Sequence, residues 1–215
     1  MTELLLNRTL DPADYDRFTE ELQVINSYSL DGQHPHRRWE YALALHAIWR
    51  HARGVWQRTQ VLPASLIYDV GGAGTTFHHM LTAWTGGTVI VIDPAVGTVP
   101  VEQWATSGSM LADVITCVSV IEHVPDDEAF LYAVSCLLAP GGLLVVTMDY
   151  WNKCGVDTAE HRDLRQRLYC PQTYQQLRGK AQALHLETFG GVDPRYHGPQ
   201  VHDYTFASLV LRKRP

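Results

Sequence analysis

A chain of 215 residues with 46% hydrophobic content can bury one sizeable core and has room for at most a small appendage. Its formal net charge of -6 and pI near 6.0 provide no broad basic field for a phosphate backbone, which disfavours nucleic acid as a partner. The start MTELLLNRTL has one short apolar patch, no basic region ahead of it and no long apolar run, so a cytoplasmic protein without leader or membrane span is expected.

Asp11 and Pro12 read as an N-cap followed by proline at the first helical position, and Tyr15, Phe18, Leu22 and Ile25 recur at helical spacing. A first helix is predicted to run to about Asn26. SLDGQHPH is turn chemistry, after which Trp39, Leu43, Ala47 and Arg50 lie along one side of a second helix that should stop near Gly54. Residues 1–60 are thus read as a helical extension or lid, and 61–215 as the main domain.

From Leu66 the pattern changes. LIYDV, TVIVID, DVITCVSV and LLVVTM are nearly continuous apolar runs, which suits parallel strands covered on both faces. Thr75 to Trp84 and Asp126 to Leu138 carry helical spacing between them, so the expected fold is α/β with a doubly wound, mostly parallel sheet. CPQTYQQLRGKAQALHL reads as a helix, ETFGGV as one short strand, and YTFASLVLRK as a last, antiparallel strand. Cys117, Cys136, Cys154 and Cys170 are far apart, form no CxxC pair, and are expected to be buried free thiols.

The chemistry concentrates in LIYDVGGAGTTFHHM. Gly71, Gly72 and Gly74, between a buried strand and a helix, let the backbone turn sharply and let a ligand approach where a Cβ would collide. Asp93 closes the next strand, where doubly wound folds place an acid against ribose hydroxyls, so the pair implies an adenosine-type ligand. A dinucleotide fingerprint would need a third glycine where Phe77 stands, which weakens an NAD(P)-dependent oxidoreductase reading. A cofactor-binding module without turnover is the other rival.

YDVGGAGTT resembles the first motif of the class I S-adenosylmethionine-dependent methyltransferases. ADVITCVSVIEHV and LLAPGGLLVVTM are similar to the fourth-strand and fifth-strand motifs of their small-molecule branch, and the resemblance covers about Leu66 to Met148. It implies a Rossmann-like sheet, S-adenosylmethionine held by Asp69, Gly71, Gly72, Gly74 and Asp93, and Glu122 ordering the cofactor loop. The implied acceptor is a small molecule or sugar-type metabolite methylated on oxygen or nitrogen. Ala73 and Thr75 depart from the family's usual loop glycines. Between Asp93 and Asp113 there are too few residues for the usual helix and third strand, so that strand should be short or absent, with Glu102 or Trp104 meeting the adenine.

His123 follows the fourth-strand run at its C-terminal end, and an imidazole there can take a proton near neutral pH, which makes it the candidate general base. Asp149, Tyr150 and Trp151 end the fifth strand on the same rim and are expected to wall an acceptor pocket. Arg162, Arg165 and Arg167 could meet an anionic acceptor or form a solvated helix face. His197 with His202, the neighbours His78 and His79, and the pair His34 and His36 lack metal-ligand spacing, so no metal site is expected.

Overall fold

The computed structural model describes residues 5–9, 18–29, 37–55, 65–155, 166–196 and 204–215. Its strands are β1 (Leu5–Arg8), β2 (Leu66–Val70), β3 (Thr88–Ile92), β4 (Ala112–Val118), β5 (Leu138–Tyr150), β6 (Leu186–Thr188), β7 (Gly191–Asp193) and β8 (Thr205–Lys213). The helices are α1 (Thr19–Ile25), α2 (Arg37–Val55), α3 (Phe77–Thr85), α4 (Val101–Trp104), α5 (Asp127–Leu137) and α6 (Pro171–Ala183).

Six strands form one sheet in the order β3-β2-β4-β5-β8-β6. β3, β2, β4 and β5 pair in parallel, and β8 runs antiparallel to β5 and β6, as its partial alternation predicts. Three of the apolar runs become largely buried strands, β2, β4 and β5, because each face of the sheet has its own cover, while β3 at the sheet edge is only part-buried. One core joins β4 and β5 to α5 and α6 through Phe130, Val134, Tyr174 and Leu177. The other joins the opposite face to α1, α2 and α3 through Ile25, Leu43, Ile48, Phe77 and Leu81. The helical extension therefore shares a core with the sheet. The strand order reverses between β2 and β4, and open α/β sheets bind ligands outside the strand ends at such a point.

Asp11, Pro12 and Tyr15 lie outside the described residues; the helix that follows is α1, with Phe18 and Ile25 buried. Residues 93–111 contain a 3₁₀ turn (Pro94–Val96) and the single-turn α4 but no strand, which leaves β3 as the sheet edge. ETFGGV is not one strand. Gly190, at φ +82°, breaks it into β6 on the main sheet and β7, which pairs with β1 in a separate parallel ribbon.

The cysteines also differ from expectation. Cys154 and Cys170 form a disulfide, leaving Cys117 buried and Cys136 exposed as free thiols. The cause lies in the backbone: Trp151 donates to the Tyr169 carbonyl at 2.8 Å and Tyr169 to the Asp149 carbonyl at 2.9 Å, which draws the ends of the intervening segment together. Structural disulfides are rare in reducing compartments, so the cysteines lend no support to a cytoplasmic setting. Among the described residues no helix is long and apolar enough to cross a membrane.

Candidate functional site

β2 delivers Asp69 and then the glycine loop to the C-terminal edge of the sheet. Gly71 has φ +76°, and a Cβ there would stand 2.4 Å from Val120 Cγ2. A Cβ on Gly72 would stand 2.2 Å from Asp69 Oδ2. Both positions need glycine because the backbone lies directly on its neighbours, whereas Gly74, at φ +72°, faces open space. Asp69 is 1% exposed; Thr116 donates to its Oδ1 at 2.8 Å, and its Oδ2 has no hydrogen-bond partner. Burial pushes its carboxyl up to about 7, against the Thr116 hydrogen bond and with help from the charge of Asp93.

Asp93 joins the two strand ends. Its Oδ2 accepts from the Ala73 amide at 3.0 Å, its Oδ1 from the Ala95 amide at 2.9 Å, and its own amide donates to Thr98 Oγ1 at 2.6 Å. Beside it opens a cleft of about 420 Å³, lined by Gly71, Asp93, Glu102, Ser119, Val120 and His123 among others. Of the two adenine candidates, Glu102 reaches this lining. Trp104 packs edge-on against Tyr68, with centroids 6.3 Å apart, on the flank of the core.

His123 is exposed at the cleft's lip, with Gln166 Nε2 3.1 Å from its Nε2. Glu122 points the other way and is 1% exposed. Their backbone is clamped: Arg167 donates from Nη2 to the Ile121 carbonyl at 2.6 Å and from its amide to the Glu122 carbonyl at 3.0 Å, while pairing with Asp127. Of the rim residues, Asp149 is buried beneath the site, Tyr150 is core packed edge-on against Tyr174, and Trp151 lies against Tyr196. Gly54, on the last turn of α2, has no described surroundings, and His34, His36, Arg162, Arg165, His197 and His202 lie outside the described residues. Among the described residues no group of three or more His, Cys, Asp or Glu is placed to hold a metal ion.

α2 brings residues that sequence patterning does not single out. Tyr41 stacks on Phe77 at 4.2 Å and hydrogen-bonds Thr75 in the glycine loop. Glu40 is fully buried: Arg37 Nη1 donates to its Oε2 at 3.0 Å, and Ser119 Oγ, at 2.6 Å, and Thr147 Oγ1 both donate to its Oε1. Burial opposes the charge on Arg37, but Glu40, Tyr41 and the acids beyond them outweigh it and hold its pKa above the usual value. Ser119, at φ +49°, is one of two non-glycine residues with positive φ among the described residues, and such backbone strain concentrates at functional sites. The available signal was one acid interrupting the apolar run WEYALALHAIW.

Residues 67–188 match the model of a family described as a methyltransferase domain. Ubiquinone biosynthesis O-methyltransferase from Psychrobacter cryohalolentis is 45% identical over 49 residues, 23% of this chain and 19% of that protein. Its counterpart from Pseudoalteromonas translucida is 44% identical over 73 residues, 34% of this chain and 29% of that protein. The chain thus aligns with less than a third of these relatives' length. Among solved structures, N-methyltransferase NodS from Bradyrhizobium japonicum WM9, in complex with S-adenosyl-L-homocysteine, superposes with TM-score 0.57 at 18% identity, covering 94% of this chain and 98% of that one. The [4+2]-cyclase SpnF superposes equally well, at 0.57 and 14% identity, covering 99% and 98%. Such identities speak to the fold alone. With the glycine loop at the switch point of a mostly parallel sheet, and a family match over more than half its length, the chain belongs to the methyltransferase-domain family and has the class I methyltransferase fold.

Proposed function

We propose that the protein binds S-adenosylmethionine in the cleft beside the glycine loop and transfers its methyl group to an oxygen or nitrogen of a small-molecule or sugar-type acceptor. The observation that carries this reading is the orphaned Oδ2 of Asp69, buried behind a loop whose Gly71 and Gly72 have no room for a side chain. A buried acceptor without a donor suits a cationic ligand, and a dinucleotide's pyrophosphate has the opposite charge. Phe77 adds to this. It is buried and stacked on Tyr41 where the dinucleotide fingerprint has glycine.

In this reading the glycine loop holds the amino-acid end of the cofactor, Asp93 the ribose and Glu102 the adenine side, while Trp104 packs against Tyr68. When bound, S-adenosylmethionine supplies an electrophilic methyl group. α2 acts as the lid's inner layer, with Tyr41 bracing Thr75. His123, at the lip, takes the proton that the acceptor loses, and Gln166 orients its ring. Glu122 orders the cofactor loop, and Asp149, at the end of β5, backs the acceptor side.

Calorimetric titration with S-adenosylhomocysteine beside NAD and NADP tests the cofactor. Selective binding of the thioether is expected, and a preference for either dinucleotide would overturn the reading. Asp93→Ala should weaken that binding by about 1–3 kcal/mol, because charge-assisted hydrogen bonds to the ribose are lost. The variant also frees the Ala73 and Ala95 amides, so its melting temperature is measured alongside; unchanged affinity in a folded variant contradicts the ribose assignment. His123→Ala should retain S-adenosylhomocysteine binding but lose about a hundredfold in turnover once an acceptor is in hand. Wild-type turnover would remove His123 as the base.

A further inference from the structure

The Cys154–Cys170 bridge joins two residues in unlike places. Cys154 lies exposed just after the end of β5, whereas Cys170 is 3% exposed and is the N-cap of α6. A thiolate arriving from solvent therefore meets the Cys154 side of the bond, and the group it displaces is the Cys170 sulfur. That sulfur already takes part in a capping box. The Thr173 hydroxyl is 3.6 Å from it and in turn accepts from the Cys170 amide at 2.8 Å. α6 runs for 13 residues, so its first amides and its dipole favour negative charge at this cap. A thiolate released there is a stabilised leaving group, which speeds exchange and favours the reduced form. Exposed bridges of this kind belong to the labile, regulatory class of disulfides, whereas bridges that serve stability alone resist reduction.

The bridge also anchors the residues that hold one wall of the cleft. Gln166 lies beside His123, and Arg167, three residues before Cys170, clamps the Ile121 and Glu122 carbonyls. Tyr169, the residue in between, pairs with Asp149 and Trp151 through its backbone and donates from its hydroxyl to Asp127 at 3.0 Å. The turn gripped in this way carries Val120, His123 and Val124, all of which line the cleft. With the bond closed, residues 166–170 are tied covalently to the end of β5. Without it they keep only hydrogen bonds and the Arg167–Asp127 pair, and the chain between the two cysteines regains conformational freedom.

We propose that Cys154–Cys170 is a reversible thiol-exchange site, and that its oxidised form holds the cleft-lining turn in the arrangement that binds the cofactor. The reductant is a low-molecular-weight thiol. Its thiolate attacks Cys154 Sγ, the bond to Cys170 breaks, and Cys170 leaves with the electron pair as a thiolate. A second thiolate then attacks the reductant's sulfur in the mixed disulfide and displaces Cys154, which takes a proton. The protein has gained two electrons, and two molecules of thiol have become one disulfide. A small-molecule disulfide reverses the same steps. The exchange itself stands apart from the methyltransferase reading; its effect on cofactor binding rests on that reading.

The test uses the full chain carrying Cys136→Ser, which removes the other exposed thiol. The protein is equilibrated in glutathione and glutathione disulfide at graded ratios, quenched with acid, and its free thiols are counted by mass after alkylation under denaturing conditions. The pair is expected to pass from closed to open across these mixtures. A bond that stays closed in reduced glutathione alone, or stays open in glutathione disulfide alone, overturns the proposal. Adding Cys154→Ser leaves Cys170 as a free thiol, and its ultraviolet thiolate absorbance is expected to be present at neutral pH; a thiol that ionises only in alkaline solution removes it as the stabilised leaving group. Calorimetric titration with S-adenosylhomocysteine then reads the coupling. Reduction should weaken binding about fivefold or more, and the Cys154→Ser variant should bind like the reduced protein in either buffer. Equal affinity of the two forms sinks the link to the cleft. Absence of binding in both forms sinks the cofactor reading and the link with it, while the thiol count still decides the exchange.

Discussion

Glu40→Ala is expected to destabilise the protein by about 3–5 kcal/mol, measured as a shift of the urea midpoint at unchanged slope. The size follows from what the substitution leaves behind. Arg37 has a side chain only 22% exposed and would face Glu122 and Asp149 without its partner at 3.0 Å. The hydroxyls of Ser119 and Thr147 would lose their acceptor in the same step. Glu40→Gln keeps an acceptor oxygen and the volume, so its loss should be smaller. Because Ser119 holds a strained positive φ and lines the cleft, the alanine variant should also weaken S-adenosylhomocysteine binding. A loss below about 1 kcal/mol would mean that Arg37 swings out to water and that the network is dispensable.

Some of this was legible in the chain and some was not, for physical reasons. Strands covered on both faces leave nearly continuous apolar runs, so β2, β4 and β5 stand out with their order, and the part-buried edge strand β3 shows the same kind of run. The acids at their ends are legible too, because Asp69 and Asp93 follow directly from where β2 and β3 stop. The missing strand is a matter of counting residues between Asp93 and Asp113. By contrast, periodicity in α2 says which face is buried but not against what, so the meeting of Glu40 with Ser119 and Thr147, 79 and 107 residues away, leaves no mark. β1 has the same difficulty. Four residues carry no usable period, and their partner β7 lies near the other end of the chain. The Cys154–Cys170 bridge depends on backbone pairing between β5 and the segment before α6, which spacing alone does not encode.

Asp69→Asn should remove one steep component of the pH dependence of stability. In the folded wild type burial holds the carboxyl up at about 7, whereas a solvent-exposed aspartate titrates near 3.8. The folded state therefore keeps a proton that the unfolded chain releases. Stability from this proton is fully present below about pH 4 and is lost as pH rises through about 7, at up to about 1.4 kcal/mol per pH unit. Between pH 4 and pH 8 the variant should gain on the wild type by about 4 kcal/mol. Glu40 and Glu122, also shifted upward by burial, remain in both proteins and largely cancel from the difference. Urea denaturation of both proteins at several pH values provides the measurement, and parallel curves would show that Asp69 ionises freely in the fold. Saturating S-adenosylhomocysteine provides the functional half of the same experiment. If its ammonium group sits near the unmatched Oδ2, the ionised carboxylate is favoured and the pH-dependent difference shrinks. If the difference is unchanged by ligand, the orphaned oxygen is a cost of the loop's close packing and has no part in binding.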